Sequence, residues 1–302
     1  MRSTGSWYDV RTAGGHLLQC RLKGKFKIKG IQTSNPIAVG DKVIYEIEDE
    51  NENTGIISEI LPRENYIIRQ SVHKTAQAHI LAANIDQAIL IATLTFPRTS
   101  LGFIDRFLVT AESFRIPVTI IFNKLDLLDN ELIDYQNELT AMYRSIGYGT
   151  LVTSTVKGDG LNEFSALLHQ KISLLSGHSG VGKSSLVNSI SPDLTLRTSE
   201  VSTFANKGVH TTTFAEMFEI SDDTFIIDTP GIKELGLIDT EREEIYHFFP
   251  EMRERFGQCK FHNCLHINEP KCAVIQAVEE GEIAVTRYES YLSMVLGDDN
   301  RR

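Results

Sequence analysis

The stretch from Gly177 to Ser185, GHSGVGKSS, has the glycine and lysine spacing of a loop that binds phosphate. It follows an apolar run that predicts a strand, KISLLS, and leads into a segment that predicts a helix, which is the context such a loop requires. Backbone N–H groups and the helix N-terminus would surround the phosphates, Lys183 would reach the β- and γ-phosphates and act in catalysis, and Ser184 would offer its hydroxyl to Mg²⁺. The predicted phosphate-binding residues are Gly177, His178, Ser179, Gly180, Val181, Gly182, Lys183, Ser184 and Ser185.

A second metal ligand is expected from a carboxylate, and Asp228 supplies it. It ends the apolar run FIID and opens the motif DTPG, in which Asp228 would hold Mg²⁺ and the N–H of Gly231 would contact the γ-phosphate. A DxxG sequence alone is a common turn. Its place at the end of a strand, after the phosphate loop, favours a nucleotide site.

The motif NKLD, after the apolar run PVTIIF, indicates which base is bound. Guanine presents N1–H and N2–H₂ side by side and one carboxylate accepts from both, whereas adenine has no such pair of donors. Asp126 is therefore predicted to select guanine, while Asn123 and the aliphatic part of Lys124 shape the base pocket. Ser154 and Thr155 are weaker candidates for backbone contacts to the guanine oxygen.

Hydrolysis also needs a group that orients the attacking water and a residue that closes over the metal and the γ-phosphate. Ras-like GTPases follow DxxG with a glutamine that orients the attacking water, but here the residue is Ile232, so slow hydrolysis by the free protein is expected. In the stretch GVHTTT, Thr212, with Thr211 as the alternative, is predicted to close over Mg²⁺ and the γ-phosphate. His210 would orient water there, and the alternative is a simply exposed loop histidine.

A cluster of thiols and one imidazole within 14 residues predicts a metal site near the C-terminal end. Three thiolates and one imidazole suit tetrahedral Zn²⁺ with every position filled, which is a structural site. The alternative is a set of buried cysteines beside an unrelated histidine. His262 is a possible substitute ligand, and Cys20 is predicted to be an ordinary core residue. The predicted zinc ligands are Cys259, Cys264, His266 and Cys272.

Three segments with different patterns carry these residues. Residues 1–70 hold about five short strand-like runs, which predicts a small β-barrel of the OB type. Residues 71–240 alternate apolar strands with helical segments and predict an α/β domain with a parallel sheet. Residues 241–302 have mostly helical patterns and contain the cysteine cluster.

The order of the motifs is rotated. Ras-like GTPases run phosphate loop, switch, DxxG and NKxD, whereas this chain runs NKLD, then the phosphate loop, then DTPG. Joining the old chain ends and opening the chain elsewhere keeps every strand in the sheet, so the pattern predicts a circularly permuted P-loop GTPase domain. The segment after Asp228 then leads directly into the C-terminal domain and would link it to the state of the nucleotide.

Composition narrows the class of protein. The net charge of -10 argues against a generally basic nucleic-acid-binding protein, and no DNA partner is expected. The sequence shows neither a secretion signal nor an apolar run close to the roughly 20 residues that cross a bilayer, so we expect a cytoplasmic location without a membrane partner. The absence of heptads favours a monomer.

One stretch of the least acidic segment, residues 1–70, alternates cations with other residues. In a strand, alternate side chains share a face, so five cations would line one surface. That surface is either a solvated edge protected by lysines or a contact for a polyanion. The cations are Arg21, Lys23, Lys25, Lys27 and Lys29.

Taken together, these motifs resemble the RsgA family of bacterial GTPases that depend on the small ribosomal subunit. The resemblance rests on GHSGVGKSS, GVHTTT, DTPGI followed by KELGL, the rotated order and the cysteine cluster. It implies GTP hydrolysis stimulated by the subunit during late maturation, with GTP or GDP, Mg²⁺ and one structural Zn²⁺ as cofactors. It also implies that the barrel and the zinc domain contact ribosomal RNA, and the cationic strand would then bind that RNA. In the acidic C-terminal part, the contacts would come from Arg253, Arg255, Lys260 and Lys271.

Two other functions stay open from the sequence. One is a GTPase that acts on a different RNA, which shares the nucleotide motifs but leaves the rotated order unexplained. The other is a nucleotide-regulated RNA-binding protein whose weak hydrolysis is incidental, which Ile232 favours.

Overall fold

The structure, a computed structural model, describes residues 1–3, 5–23, 36–49, 51–69, 79–191, 215–228 and 240–297. Its N-terminal strands are β1 (Arg2–Ser3), β2 (Tyr8–Arg11), β3 (Leu17–Leu22), β4 (Val43–Asp49), β5 (Thr54–Ile60), β6 (Tyr66–Arg69) and β7 (His79–Ala83). Its central strands are β8 (Gln87–Ala92), β9 (Val118–Asn123), β10 (Gly149–Thr153), β11 (Ile172–Ser176), β12 (Glu216–Ser221) and β13 (Thr224–Asp228).

Helices cover both the central and the C-terminal parts. They are α1 (Leu101–Ser113), α2 (Asn130–Ser145), α3 (Leu161–Leu168), α4 (Lys183–Ile190), α5 (Pro250–Arg253), α6 (Ala273–Glu279) and α7 (Val285–Leu296). Single 3₁₀ segments lie at Leu125–Leu127 and Arg242–Phe248. None of the helices in the described part of the chain is long and apolar enough to cross a membrane.

Five of the central strands form a parallel sheet between two layers of helices, as the alternation of patterns predicts, and β12 pairs antiparallel with β13 beside it. Strand β8 runs parallel to β9 and β11, β10 runs parallel to β9, and β13 runs parallel to β11. All six residues of β8 are buried, as expected for a strand covered on both faces. On one face Leu90 packs with residues of α1 and α2, and on the other Ile91 packs with residues of α3 and α4.

The order of the strands explains how the rotated motifs form one site. Eleven strands form a sheet in the order β10-β9-β8-β11-β13-β12-β1-β2-β3-β5-β4. The strand that precedes the phosphate loop, β11, lies between β8 and β13 in the interior of the central part. Strands β8 to β10 precede it in the chain and lie on one side, while β12 and β13 follow it and lie on the other, so the rotation leaves the sheet intact.

The N-terminal part continues the same sheet, which the sequence patterns do not predict. Strand β1 pairs antiparallel with both β2 and β12, through Arg2 opposite Glu216 in the second case. Strand β3 pairs antiparallel with β2 and parallel with β5, which pairs antiparallel with β4. Within the described residues no ladder joins β1 to β4, so closure into a barrel stays a prediction. Cys20 is fully buried in the small core of this part, as predicted.

The predicted cationic strand is only partly described, because Lys25, Lys27 and Lys29 lie outside the described residues. Strand β3 ends at Leu22. The Arg21 guanidinium forms an ion pair with Glu48, and Lys23 Nζ lies 3.7 Å from a carboxylate oxygen of Glu46. These exposed pairs with β4 contribute about 0–1 kcal/mol each, so they can open when a competing anion binds.

The C-terminal part has its own core, and that core includes one residue from the central part. Phe249, Met252, Val274 and Tyr291 are buried together, and Val109 of α1 lies in the same cluster. Helix α1 therefore packs against the sheet with one side and against the C-terminal helices with another.

Candidate nucleotide site and metal centre

The predicted nucleotide residues lie at one edge of the central sheet. Asn123, Thr153 and Asp228 are the last residues of β9, β10 and β13, and Gly177 directly follows β11. These strands are parallel, so their carboxyl ends share an edge, which is where ligands bind in open α/β sheets. The fold therefore brings together the NKLD motif, the phosphate loop and the first residue of DTPG.

Two glycines of the phosphate loop lie where a side chain would collide with its surroundings. Gly177 has φ +143°, and a Cβ built on it would lie 2.3 Å from the carbonyl oxygen of Ile91. Gly182 has φ +98°, and its Cβ would lie 2.4 Å from Nδ2 of Asn123. The loop therefore approaches β8 and β9 closely before α4 begins at Lys183, which directs the N–H groups of the first turn toward the site.

Replacing Gly182 by alanine is expected to lower the affinity for GDP and GTP at least about tenfold, since the new methyl group would displace Asn123 and strain the loop by about 1–2 kcal/mol. Titration with a fluorescent GDP analogue measures the effect. Gly102→Ala is the matched control, because no atom lies within 4 Å of its built Cβ. Wild-type affinity in Gly182→Ala would contradict the close approach described for this loop.

Charge at the phosphate end comes from one ammonium and one carboxylate. Lys183 Nζ donates to the carbonyl oxygens of Gly177 at 2.7 Å and His178 at 3.0 Å, so it lies across the loop that would hold the phosphates. Burial raises the pKa of Asp228 and the charge of Lys183 lowers it. A half-buried carboxylate of this kind is stabilised by a nearby cation, which fits a ligand of Mg²⁺.

Asn123 connects the base end of the site with the phosphate end. Its Nδ2 donates to the carbonyl oxygen of Val181 at 2.8 Å, and its Oδ1 accepts from Thr153 Oγ1 at 2.8 Å. Both ends of the amide are therefore used to fix the protein itself. Asn123 therefore contributes to the base pocket by holding the phosphate loop against β9 and β10. The sequence motif does not indicate Thr153 as its partner.

The guanine-selecting carboxylate is oriented by a hydroxyl group. Ser154 is fully buried, and its Oγ donates to Asp126 Oδ1 at 2.5 Å. The backbone N–H of Ser154 donates to the carbonyl oxygen of Asp159 at 3.0 Å, in an isolated β-bridge. Because this donor is already bonded within the protein, Thr155 is favoured over Ser154 as the predicted backbone contact to the guanine oxygen, which stays a prediction.

Lys124 flanks the same end of the site. It adopts a left-handed backbone conformation with φ 67°, and its Nζ donates to the carbonyl oxygen of Phe96 at 2.7 Å. The aliphatic part of the side chain is thus held by the loop that follows β8, which the sequence does not link to the NKLD motif. The remaining predicted nucleotide residues lie outside the described residues: His210, Thr211, Thr212 and Gly231, together with Ile232.

The four predicted zinc ligands converge in the C-terminal part. Cys259, Cys264, His266 and Cys272 each offer a ligand atom, and these atoms all lie within 4.8 Å of one another. The Sγ atoms of Cys259 and Cys272 are 3.9 Å apart, and His266 Nδ1 lies 3.2 Å from Cys272 Sγ and 3.6 Å from Cys259 Sγ. Metal–ligand bonds of about 2.3 Å to sulfur and about 2.0 Å to nitrogen give separations of about 3.5–3.8 Å in a tetrahedron. The spacing therefore fits Zn²⁺.

The surroundings of these ligands also fit a metal. The N–H of Ala273 points to Cys259 Sγ at 3.4 Å and that of Ile275 to Cys272 Sγ at 3.5 Å, contacts that favour thiolates. Burial lowers the pKa of His266 and so favours the neutral imidazole that coordinates metals. His262 is exposed and is not a member of the cluster.

Carboxylate and phenol groups order the loop that carries these ligands. The Glu269 carboxylate accepts hydrogen bonds from the N–H groups of Leu265 and Ile267, both at 2.8 Å. Two tyrosines of α7 donate to loop carbonyls, Tyr288 to His266 at 2.7 Å and Tyr291 to Leu265 at 2.6 Å. The sequence gives no sign of these contacts, because glutamate and tyrosine occur at many unrelated positions in helices and turns.

Two family models and several known proteins match this chain. Residues 60–238 match the family described as RsgA GTPase, and residues 1–57 match the RsgA N-terminal domain. The chain is 50% identical over 295 residues to the small ribosomal subunit biogenesis GTPase RsgA of Bacteroides fragilis (strain YCH46), covering 98% of this chain and 94% of that protein. It is 50% identical over 300 residues to the protein of the same name from Christiangramia forsetii, covering 99% and 95%.

Solved structures give the same result for the fold. YjeQ from Thermotoga maritima aligns with a TM-score of 0.76 at 38% identity, over 96% of this chain and 93% of that one. YloQ, described as a circularly permuted GTPase, aligns with a TM-score of 0.72 at 31% identity, over 99% and 93%. Since the match extends over nearly the whole chain and includes the rotated nucleotide motifs, the protein belongs to the RsgA family of GTPases.

Proposed function

We propose that this GTPase binds the small ribosomal subunit and hydrolyses GTP in response to it during the subunit's late maturation. The proposal is carried by one observation: the NKLD motif, the phosphate loop and Asp228 meet at one sheet edge, in a chain half identical to proteins named for biogenesis of that subunit. In this proposal residues 1–70 form an OB-type barrel, residues 71–240 the GTPase domain and residues 241–302 a zinc domain.

The site residues divide by role. Asp126 and Thr155 recognise guanine, and the backbone and Lys183 of the phosphate loop bind the phosphates. Ser184, Asp228 and Thr212, or Thr211 in its place, hold Mg²⁺, which neutralises charge on the β- and γ-phosphates when bound. In the GTP state, the stretch that contains Thr211 and Thr212 and the segment after Asp228 bind the subunit, and hydrolysis releases it.

Contact with ribosomal RNA is assigned to two surfaces. One is the cationic stretch from Arg21 to Lys29, in which Arg21 and Lys23 would exchange their exposed glutamate partners for phosphate. The other consists of basic residues of the zinc domain, namely Arg253, Arg255, Lys260 and Lys271. Single-stranded or distorted RNA elements are the expected target of an OB-type surface. In this proposal the protein acts as a monomer.

Phosphate release from GTP and from ATP tests the proposal, with and without purified small subunits, in the wild type and in His210→Ala. We expect a large increase confined to GTP with subunits, and its loss in His210→Ala with nucleotide binding retained, since Ile232 cannot orient water. GTP binding without any effect of subunits would instead support the nucleotide-regulated RNA-binding protein or a GTPase that acts on another RNA.

A further inference from the structure

Helix α1 lies between the phosphate loop and the C-terminal domain. Near its start, the Phe103 ring packs on the His178 ring of the phosphate loop, with centroids 4.0 Å apart. Two positions later, Asp105 faces the C-terminal helices. Positions two apart on an α-helix point about 200° apart around its axis, so the helix contacts the loop with one side and the C-terminal domain with the opposite side.

The second contact is a buried cluster of charges. Arg287 of α7 is 1% exposed, and its Nη1 donates to Asp105 Oδ1 at 2.7 Å. Its Nε donates to Glu251 Oε1 at 2.7 Å, and its Nη2 to Oε2 at 3.2 Å. The Tyr143 hydroxyl donates to Asp105 Oδ1 at 2.9 Å, and the guanidinium lies 4.5 Å from the centre of the Phe249 ring.

This cluster has few alternative arrangements. Burial opposes the charge of Arg287, but the carboxylates of Asp105 and Glu251 outweigh it and raise the pKa of the guanidinium above its usual value. Moving any one member away would leave buried charges without partners, which is strongly unfavourable. Helices α1, α5 and α7 are therefore held in one fixed arrangement.

Helix α7 also holds the loop of the metal centre. Tyr288, the neighbour of Arg287, and Tyr291 donate to the carbonyl oxygens of His266 and Leu265. The contacts thus run without a gap from the metal loop through α7 to Asp105, along α1 to Phe103, and on to His178. All of these residues are described by the structure, and the path is independent of the segment that follows Asp228.

We propose that α1 transmits the position of the C-terminal domain to the phosphate loop, and that Arg287 is the positioning residue that makes this possible. This rests on the proposed function and adds how the GTPase activity is regulated. A subunit that shifts the C-terminal domain also shifts α7. Because the buried cluster joins α7 to α1, α1 moves with it and changes the contact of Phe103 with His178. Coupling of this kind is reciprocal for binding, so nucleotide binding must also alter α7.

Arg287→Met tests the proposal in the full-length protein at saturating subunit concentration, with subunit binding measured by cosedimentation. We expect the stimulated GTPase rate to fall by about tenfold or more, while the affinity for GDP and the rate without subunits change less than about twofold. Arg144→Met is the matched control, since it also removes an arginine, one of α2 whose exposed guanidinium donates to the carbonyl oxygen of Thr150 at 3.1 Å and belongs to neither proposed RNA-binding surface. Full stimulation of Arg287→Met by bound subunits would overturn the proposal.

Glu251→Gln keeps the shape of the cluster and is the second test variant, to be used if Arg287→Met does not fold. Hydrogen exchange at α7, with and without GDP, then gives a measurement that needs no subunit and that a merely structural role would not change. We expect GDP to slow hydrogen exchange at α7 in the wild type. In Glu251→Gln we expect GDP to have no effect on that exchange. A wild type in which GDP leaves α7 exchange unchanged would overturn the proposal, whereas a wild type without subunit stimulation would overturn the proposed function instead.

Discussion

Replacing Asp126 by asparagine is expected to weaken GTP binding by about two to four orders of magnitude and to create a preference for xanthosine triphosphate. Each hydrogen bond between guanine and the carboxylate contributes about 1.5–3 kcal/mol, and the variant loses both. The asparagine NH₂ group would face the guanine donors, whereas xanthine carries a carbonyl oxygen in place of the amino group and would accept from it. Competition titrations with GTP, xanthosine triphosphate and ATP measure the change.

Ser154→Ala separates selection of the base from orientation of the carboxylate. The substitution removes the 2.5 Å hydrogen bond to Asp126 Oδ1 but keeps the carboxylate. We expect GTP binding to weaken by about tenfold, the equivalent of one hydrogen bond, with the preference for GTP unchanged.

An Asp126→Asn protein that still prefers GTP over xanthosine triphosphate would contradict the assignment of Asp126.

Features set by local sequence could be predicted. The pattern near residues 130–146 predicts a helix, and α2 extends from Asn130 to Ser145, with Asp129 accepting from the N–H of Leu132 at its start. The phosphate loop was found because glycines, a lysine and a serine at fixed spacing have few other uses. The metal cluster was found because its four ligands lie close together in the chain.

Features set by contacts between distant residues could not be predicted. Asp105 and Arg287 are 182 positions apart, and each alone fits the polar side of a surface helix. Strand β1 has only two residues, too few for any pattern, yet it joins the N-terminal strands to β12. The hydroxyl of Ser154 and the amide of Asn123 take their partners from other segments of the chain, so their roles follow from packing and not from the motifs themselves.

Loss of the metal is expected to unfold the C-terminal domain and leave the nucleotide site able to bind GDP. A structural zinc site contributes an apparent free energy of about 10–16 kcal/mol, as much as the whole stability of a typical domain. Without it, Tyr288 and Tyr291 still donate to the ligand loop from α7, while the hydrogen bonds of Glu269 lie within the loop itself. Zinc content, proteolysis within residues 241–302 and near-ultraviolet circular dichroism measure the result in His266→Ala and Cys272→Ser.

The controls for this experiment lie within the chain. His262 is an exposed histidine of the same loop outside the cluster of four ligands, and Cys20 is a buried thiol in a different core. His262→Ala and Cys20→Ala are therefore expected to keep about one zinc ion per chain. Retention of zinc by His266→Ala and its loss from His262→Ala would mean that the two histidines exchange roles, and the tetrahedral set described for Cys259, Cys264, His266 and Cys272 would be wrong.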